Sequence, residues 1–174
     1  MKKYLKGWFR KLSVWMYVMT NKGIDIHSKG KWPSNELSNF YPHEFVLDGI
    51  KCKSMEGFLQ SLKISDTKIQ MEICVLSGKE AKQRSTYEWK TNGILFWNGK
   101  KYSRDSKNFR LLIERAFLEM YKQDDSFRKA LNATKDKRIF HSIGNPKQDE
   151  TILTDWEFCE ILTNLRKKYE CNPS

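Results

Sequence analysis

The sequence predicts one mainly α-helical domain, an α+β chain whose β content is a single small hairpin. Three observations carry this. Apolar residues recur at helical period over 105–121, where Phe109, Leu112, Ile113, Ala116, Phe117 and Met120 share a face. A second such stripe, Phe158, Ile161, Leu162 and Leu165, follows Thr154. Between Phe45 and Cys52 the apolar residues alternate instead, around Asp48-Gly49, a pair suited to the positive φ angles of a type I′ turn. A chain of 174 residues can bury one good core and is short for two.

Residues 1–22 carry Lys2, Lys3, Lys6, Arg10, Lys11 and Lys22 and no acid. The apolar run at 14–19 is too short to cross a bilayer and has no small-residue cleavage site after it. Neither a signal peptide nor a span is expected. This basic segment is either an arm that touches anions or an edge element packing Trp8, Phe9 and Trp15 on the core. Packing with a basic outer face is the favoured reading. The domain itself is expected over 23–174.

After the hairpin, Ser54 is the expected N-cap of a helix reaching about residue 64. Met55, Phe58, Leu59 and Leu62 take its core side, while Glu56, Gln60 and Lys63 gather on another. Further helices are expected over 66–76, 80–84, 105–121 and 126–133. Residues 94–97 read only as an apolar segment. The last helix starts at Thr154, where Thr154 and Glu157 have capping-box spacing.

A net charge of +11 favours polyanionic partners, although charge alone names no ligand. Six Trp in a chain that is 13% aromatic argue against disorder, because large rings supply core area. Cys52, Cys74, Cys159 and Cys171 form no CxxC, and His27, His43 and His141 form no HxH or HExxH. No metal and no cofactor are expected. Nothing forces disulfides, so a reducing, cytoplasmic compartment is the simpler expectation, with no membrane partner.

The chemistry concentrates in two stretches. Leu37-Ser38-Asn39-Phe40, with Pro42, precedes the hairpin, and Ser54 to Lys63 follows it. Together they can place Ser38, Asn39 and Glu56 around one pocket. The Glu56, Gln60, Lys63 face offers a carboxylate, an amide and a cation within two turns. The plain alternative is a solvated polar face.

The ordered set resembles the signature of the NADAR (YbiA-like, DUF1768) family: Ser-Asn-Phe, a nearby Pro, a hydrophobic-Asp-Gly hairpin, then Glu-x-x-x-Gln-x-x-Lys. Upstream, Ile26-His27-Ser28-Lys29 is similar to an early strand of that family. Downstream, Trp97-Asn98-Gly99, Arg104-Asp105-Ser106, His141-Ser142-Ile143-Gly144 and the Glu157 to Arg166 helix resemble one subgroup. The resemblance spans roughly 24–169. Gly57 stands where some members have His or Tyr, and 145–150 replace a Trp-Gly-rich segment.

The resemblance implies a YbiA-like fold and hydrolysis of an N-glycosidic bond to ribose, with ADP-ribosylated DNA or an ADP-ribose-containing ligand as partner. Cleaving a ribosyl C–N bond builds positive charge at C1, and Glu56 is the expected carboxylate beneath it. Lys29 is the second catalytic candidate: its amine could trap ring-opened ribose as a Schiff base, and a phosphate contact is its plainer role. Ser38, Asn39, Phe40, Asp48, Gln60, Lys63, Trp97, Arg104 and His141 are the candidate substrate-binding residues. For Asp48 the alternative is a turn residue, for Trp97 a core residue, for Arg104 and Lys63 surface cations. A lone His such as His141 is more often structural. The expected reaction is removal of ADP-ribose from guanine in DNA. The alternatives are a small-molecule N-glycosidase on a phosphoribosyl aminopyrimidine, and a non-catalytic module that binds ADP-ribose or nucleic acid.

Overall fold

The structure is a computed structural model that describes residues 12–84, 86 and 88–170. Residues 12–19 form α1. Next come β1 (Gly23–Asp25), the hairpin of β2 (Phe45–Leu47) and β3 (Ile50–Cys52), and four helices. These are α2 (Met55–Ser61), α3 (Thr67–Cys74), α4 (Gly78–Gln83) and α5 (Trp89–Asn92). A second hairpin, β4 (Ile94–Trp97) and β5 (Lys100–Ser103), leads into α6 (Lys107–Gln123) and α7 (Asp125–Asn132). The chain ends with β6 (Arg138–Phe140) and α8 (Asp155–Glu170). The fold is α+β with helices dominant.

The stripes of α6 and α8 form the centre of the core, where the Phe117 and Phe158 rings meet at 5.9 Å. All six periodic residues of α6 and all four of α8 are buried. Each large side chain buried this way contributes about 1.5–3 kcal/mol, so the two stripes outweigh any single polar contact. Side chains start the helices as the sequence signals. Ser106 Oγ accepts from the Phe109 N–H at 3.1 Å. Glu157 Oε2 accepts from the Thr154 N–H at 2.8 Å, which completes the capping box.

The first hairpin has the predicted turn, with φ of 51° at Asp48 and 80° at Gly49. The Gln123 side chain holds its edge, accepting from Val46 N–H at 2.7 Å and donating to Val46 O at 3.0 Å. Residues 94–97 are not a lone apolar segment. They pair with β5 in a second hairpin turned by Asn98-Gly99, with φ of 47° and 77°. The parallel pairing of β1 with β6, Ile24 opposite Ile139, is also new. Strands of three residues are too short to show a period.

Every residue of α2 is buried, including Glu56 and Gln60. A solvated polar face is therefore ruled out. The helix abuts the end of α3: Ser54 Oγ donates to Leu76 O at 3.1 Å, and Lys53 N–H to Cys74 O at 2.8 Å. A Cβ on Gly57 would lie 2.5 Å from Leu76 O, which explains why no larger residue stands there.

The N-terminal expectation fails in part. Val14 is buried, and the Tyr17 ring meets Phe140 at 5.5 Å beneath the Arg138 guanidinium. Trp15, however, is 60% exposed, with Leu12, Met16 and Met19 also exposed; the basic residues Lys2, Lys3, Lys6, Arg10 and Lys11 lie outside the described residues. Val14 and Tyr17 take the inward face of the described turns. Trp8 and Phe9 lie outside the described residues. Among the described residues no helix is long and apolar enough to cross a membrane.

Candidate functional site

A cleft of about 400 Å³ opens between α2 and the segment that joins β6 to α8. One wall comes from the Ser38-Asn39-Phe40 turn and from α2. The Glu56 N–H donates to Asn39 O at 2.8 Å, so the turn holds the start of the helix. The Ser54 cap fixes the same turn of helix through the Gly57 N–H at 3.0 Å. These two bonds set where the Glu56 side chain leaves the backbone.

Spacing then dictates contact. Gln60 lies one turn above Glu56, and its Nε2 donates to Glu56 Oε1 at 2.7 Å. Lys63 Nζ donates to Gln60 Oε1 at 2.8 Å. Lys82, from α4, places its Nζ 3.5 Å from Glu56 Oε1. The Glu56 side chain is 7% exposed, so this carboxylate is almost wholly withdrawn from water.

Burial and the neighbouring Lys82 push the Lys63 amine down to about 8, against the pull of Glu56, and Lys90 adds to the effect. Lys63, Lys82 and Lys90 all line the cleft. The result is a cation-rich site around one buried acid, a charge balance that suits an anionic ligand. Two buried polar atoms in its lining residues have no hydrogen-bond partner: the Asn39 Oδ1 acceptor and the Trp89 Nε1 donor.

The opposite wall includes His141, Ile143, Gly144 and Phe158. His141 Nδ1 donates to Ile26 O at 2.7 Å, and its ring stands edge-on to Phe158 at 5.1 Å. A carbonyl only accepts, so Nδ1 carries the proton. A Cβ on Gly144 would lie 2.5 Å from the His141 ring, so this turn closes only over glycine.

Seven candidates thus line one cleft: Ser38, Asn39, Phe40, Glu56, Gln60, Lys63 and His141. Four do not. Lys29 is exposed and outside the lining, although its neighbour Ser28 is part of it. Asp48 accepts a bidentate pair from Arg115 at 2.5 and 2.8 Å and a bond from Trp97 Nε1 at 2.8 Å. Arg115 holds the Asp48 carboxyl below its ordinary range. Its work is to lock the hairpin. Trp97 is 1% exposed and packs edge-on against Phe58 at 4.9 Å, so it is a core residue.

Arg104 lies behind the cleft wall. Its Nε donates to Thr151 O at 3.1 Å, and its fork grips Glu157 at 3.1 and 2.6 Å. It positions the wall and touches no cleft volume. Trp89, Lys90, Thr151 and Ile152 are lining residues that no motif marked. Their only sequence signal is the general excess of lysine and tryptophan. A larger groove of about 1130 Å³ runs between β5, α6 and α8, but none of the candidate residues lines it. Among the described residues no group of three or more His, Cys, Asp or Glu side chains could hold a metal.

The sequence profile of the family described as "Bacteriophage protein GP30.3" matches residues 31–167. The chain belongs to this bacteriophage GP30.3 family. All the cleft residues named above except Ser28 fall within the matched stretch, whereas α1 and β1 precede it. In sequence, the chain is 42% identical over 146 residues to an uncharacterized 17.1 kDa protein of Enterobacteria phage T4, from the Gp30–rIII intergenic region. That alignment covers 82% of this chain and 96% of the T4 protein. In three dimensions the chain is similar to Escherichia coli YbiA, solved by NMR, with a TM-score of 0.59 at 16% identity. The match covers 87% of this chain and 86% of YbiA. The GP30.3 fold represented here is therefore YbiA-like.

Proposed function

We propose that the protein is an N-glycosidase that hydrolyses a ribosyl–base bond, with ADP-ribose carried on guanine in DNA as its substrate. The observation that carries this reading is the buried carboxylate of Glu56, fixed by Gln60 and flanked by lysines in a cleft. The YbiA-like fold and the NADAR-type spacing of Glu56, Gln60 and Lys63 support it.

The chemistry follows from charge. As the C1–N bond breaks, its electron pair leaves with the base, and C1 and the ring oxygen become positive. The Glu56 carboxylate stabilises that charge far better in a dry cleft than in water. Water adds its oxygen to C1, and its proton passes by way of Glu56 to the departing base. The products are a free ribose hydroxyl and a protonated base nitrogen. Lys63, Lys82 and Lys90 bind the pyrophosphate. Asn39 Oδ1 and Trp89 Nε1 gain the partners they lack, from the hydroxyls of the ligand. His141 borders the ribose. The net charge of +11 draws the DNA strand. In a phage protein, such an activity would undo a DNA modification installed by a host toxin.

The test is incubation of the protein with an oligonucleotide bearing ADP-ribosyl guanine, read by mass. Release by the wild type and none by Glu56→Gln is expected. Absence of release by the wild type across salt and pH would overturn the DNA reading. Binding of ADP-ribose without turnover, unchanged in Glu56→Gln, would overturn the enzyme reading.

A further inference from the structure

We propose that α1 docks the protein on an anionic lipid bilayer, lying in the plane of the membrane surface. Leu12, Trp15, Met16 and Met19 stand at i, i+3, i+4 and i+7 and so form one stripe. They are 45%, 60%, 54% and 67% exposed. The opposite face, Val14 and Tyr17, is already committed to the core through Phe140. The helix is thus apolar on both sides, and its outer side is a continuous patch rather than scattered single residues.

The charges that accompany this patch select its occupant. In the sequence, Leu5, Trp8 and Phe9 continue the same spacing upstream of Leu12. Interleaved with them are Lys2, Lys3, Lys6, Arg10 and Lys11, with no acid anywhere in 1–22. Trp, Phe, Leu and Met beside Lys and Arg is the composition of interfacial helices on anionic membranes. A second copy of the chain would bring two acid-free basic segments together, which charge opposes. A nucleic acid offers phosphates to the lysines but nothing to cover Leu12, Met16 and Met19. An anionic bilayer satisfies both halves at once. The segment precedes the family match at residue 31, and none of its residues lines the cleft. It lies on a bilayer without crossing it, and it replaces the expectation of no membrane partner.

The test is vesicle flotation of the full chain. Flotation is expected with phosphatidylglycerol–phosphatidylcholine vesicles and not with phosphatidylcholine alone, and it should weaken with salt. Trp15→Ser/Met19→Ser should bind about tenfold more weakly or less. Lys3→Gln/Lys6→Gln should bind about 30-fold more weakly. Both variants should keep the wild-type melting temperature, because the two described side chains are exposed and leave no cavity. Failure of the wild type to float with anionic vesicles overturns the proposal, as does equal flotation of Trp15→Ser/Met19→Ser. A dimer that this variant splits would assign the face to a second copy instead. Binding to a plain oligonucleotide that is lost in the same variant would assign it to nucleic acid.

Discussion

Two polar clusters bury charge beside the same cleft, and they are finished differently. Behind the wall, the Arg104 fork meets both oxygens of Glu157, and Thr154 adds a backbone and a hydroxyl donor. Burial works to raise the Glu157 carboxyl, but Arg104 and Thr154 together hold it below the ordinary range. That cluster is closed. Across the cleft, Glu56 shares one oxygen with Gln60 and Lys82, and three lysines surround this acid. Lys63 sits depressed at about 8, held down by burial and by Lys82 and Lys90. A buried charge that serves the fold is matched completely. The cluster around Glu56 leaves its cations in excess.

Glu56→Gln should show the largest effect and bears on the open cluster. It keeps shape and burial, so glycosidase turnover should fall about 1000-fold or more while the melting temperature changes little. A comparable loss of stability would place Glu56 among the structural charges and break the contrast. Arg104→Met bears on the closed cluster. It strands Glu157, and urea unfolding should show a loss of about 3–5 kcal/mol. Adding Glu157→Met should recover most of this, short by about 1 kcal/mol for the lost cap.

Lys63 offers the pH signature. Its cation is present below about 8 and lost above it. Affinity for ADP-ribose, followed by calorimetry, should therefore decline as pH climbs past that point. Stability should move the opposite way. The folded amine sits at about 8 against an ordinary 10.5, so the folded state holds fewer protons between these values. Unfolding free energy should rise with pH across that window, and Lys63→Met should abolish both trends. The smallest effect belongs to the second hairpin. Asn98→Ala places a side chain ill suited to a φ of 47° and should cost about 1 kcal/mol by thermal melting.

What the sequence revealed depended on how local the signal was. The α6 and α8 stripes, the Ser54 cap and the Asp48-Gly49 turn are each written within a few residues. The Glu56, Gln60, Lys63 set was legible because one helix carries it. Asn98-Gly99 has the same chemistry as Asp48-Gly49, yet β5 (Lys100–Ser103) lacks the apolar alternation that marks a strand. Trp89 and Lys90 reach the cleft from α5, and no nearby pattern announces them. Trp97 and Arg104 were misplaced for a common reason. A tryptophan or arginine beside a motif is chemically able to bind, and only burial shows that Asp48 and Glu157 already claim them.

The parallel pairing of β1 with β6 has a consequence for the order of events at the ribosome. His141 donates its hydrogen bond to Ile26 O, 115 residues earlier in the chain. β1 is synthesised before β6 and has no strand partner until β6 emerges. Closing so long a loop is slow relative to the local hairpins and helices between them. The His141 side of the cleft is therefore assembled last. Until then Tyr17 of α1 lacks the Phe140 ring on which it packs.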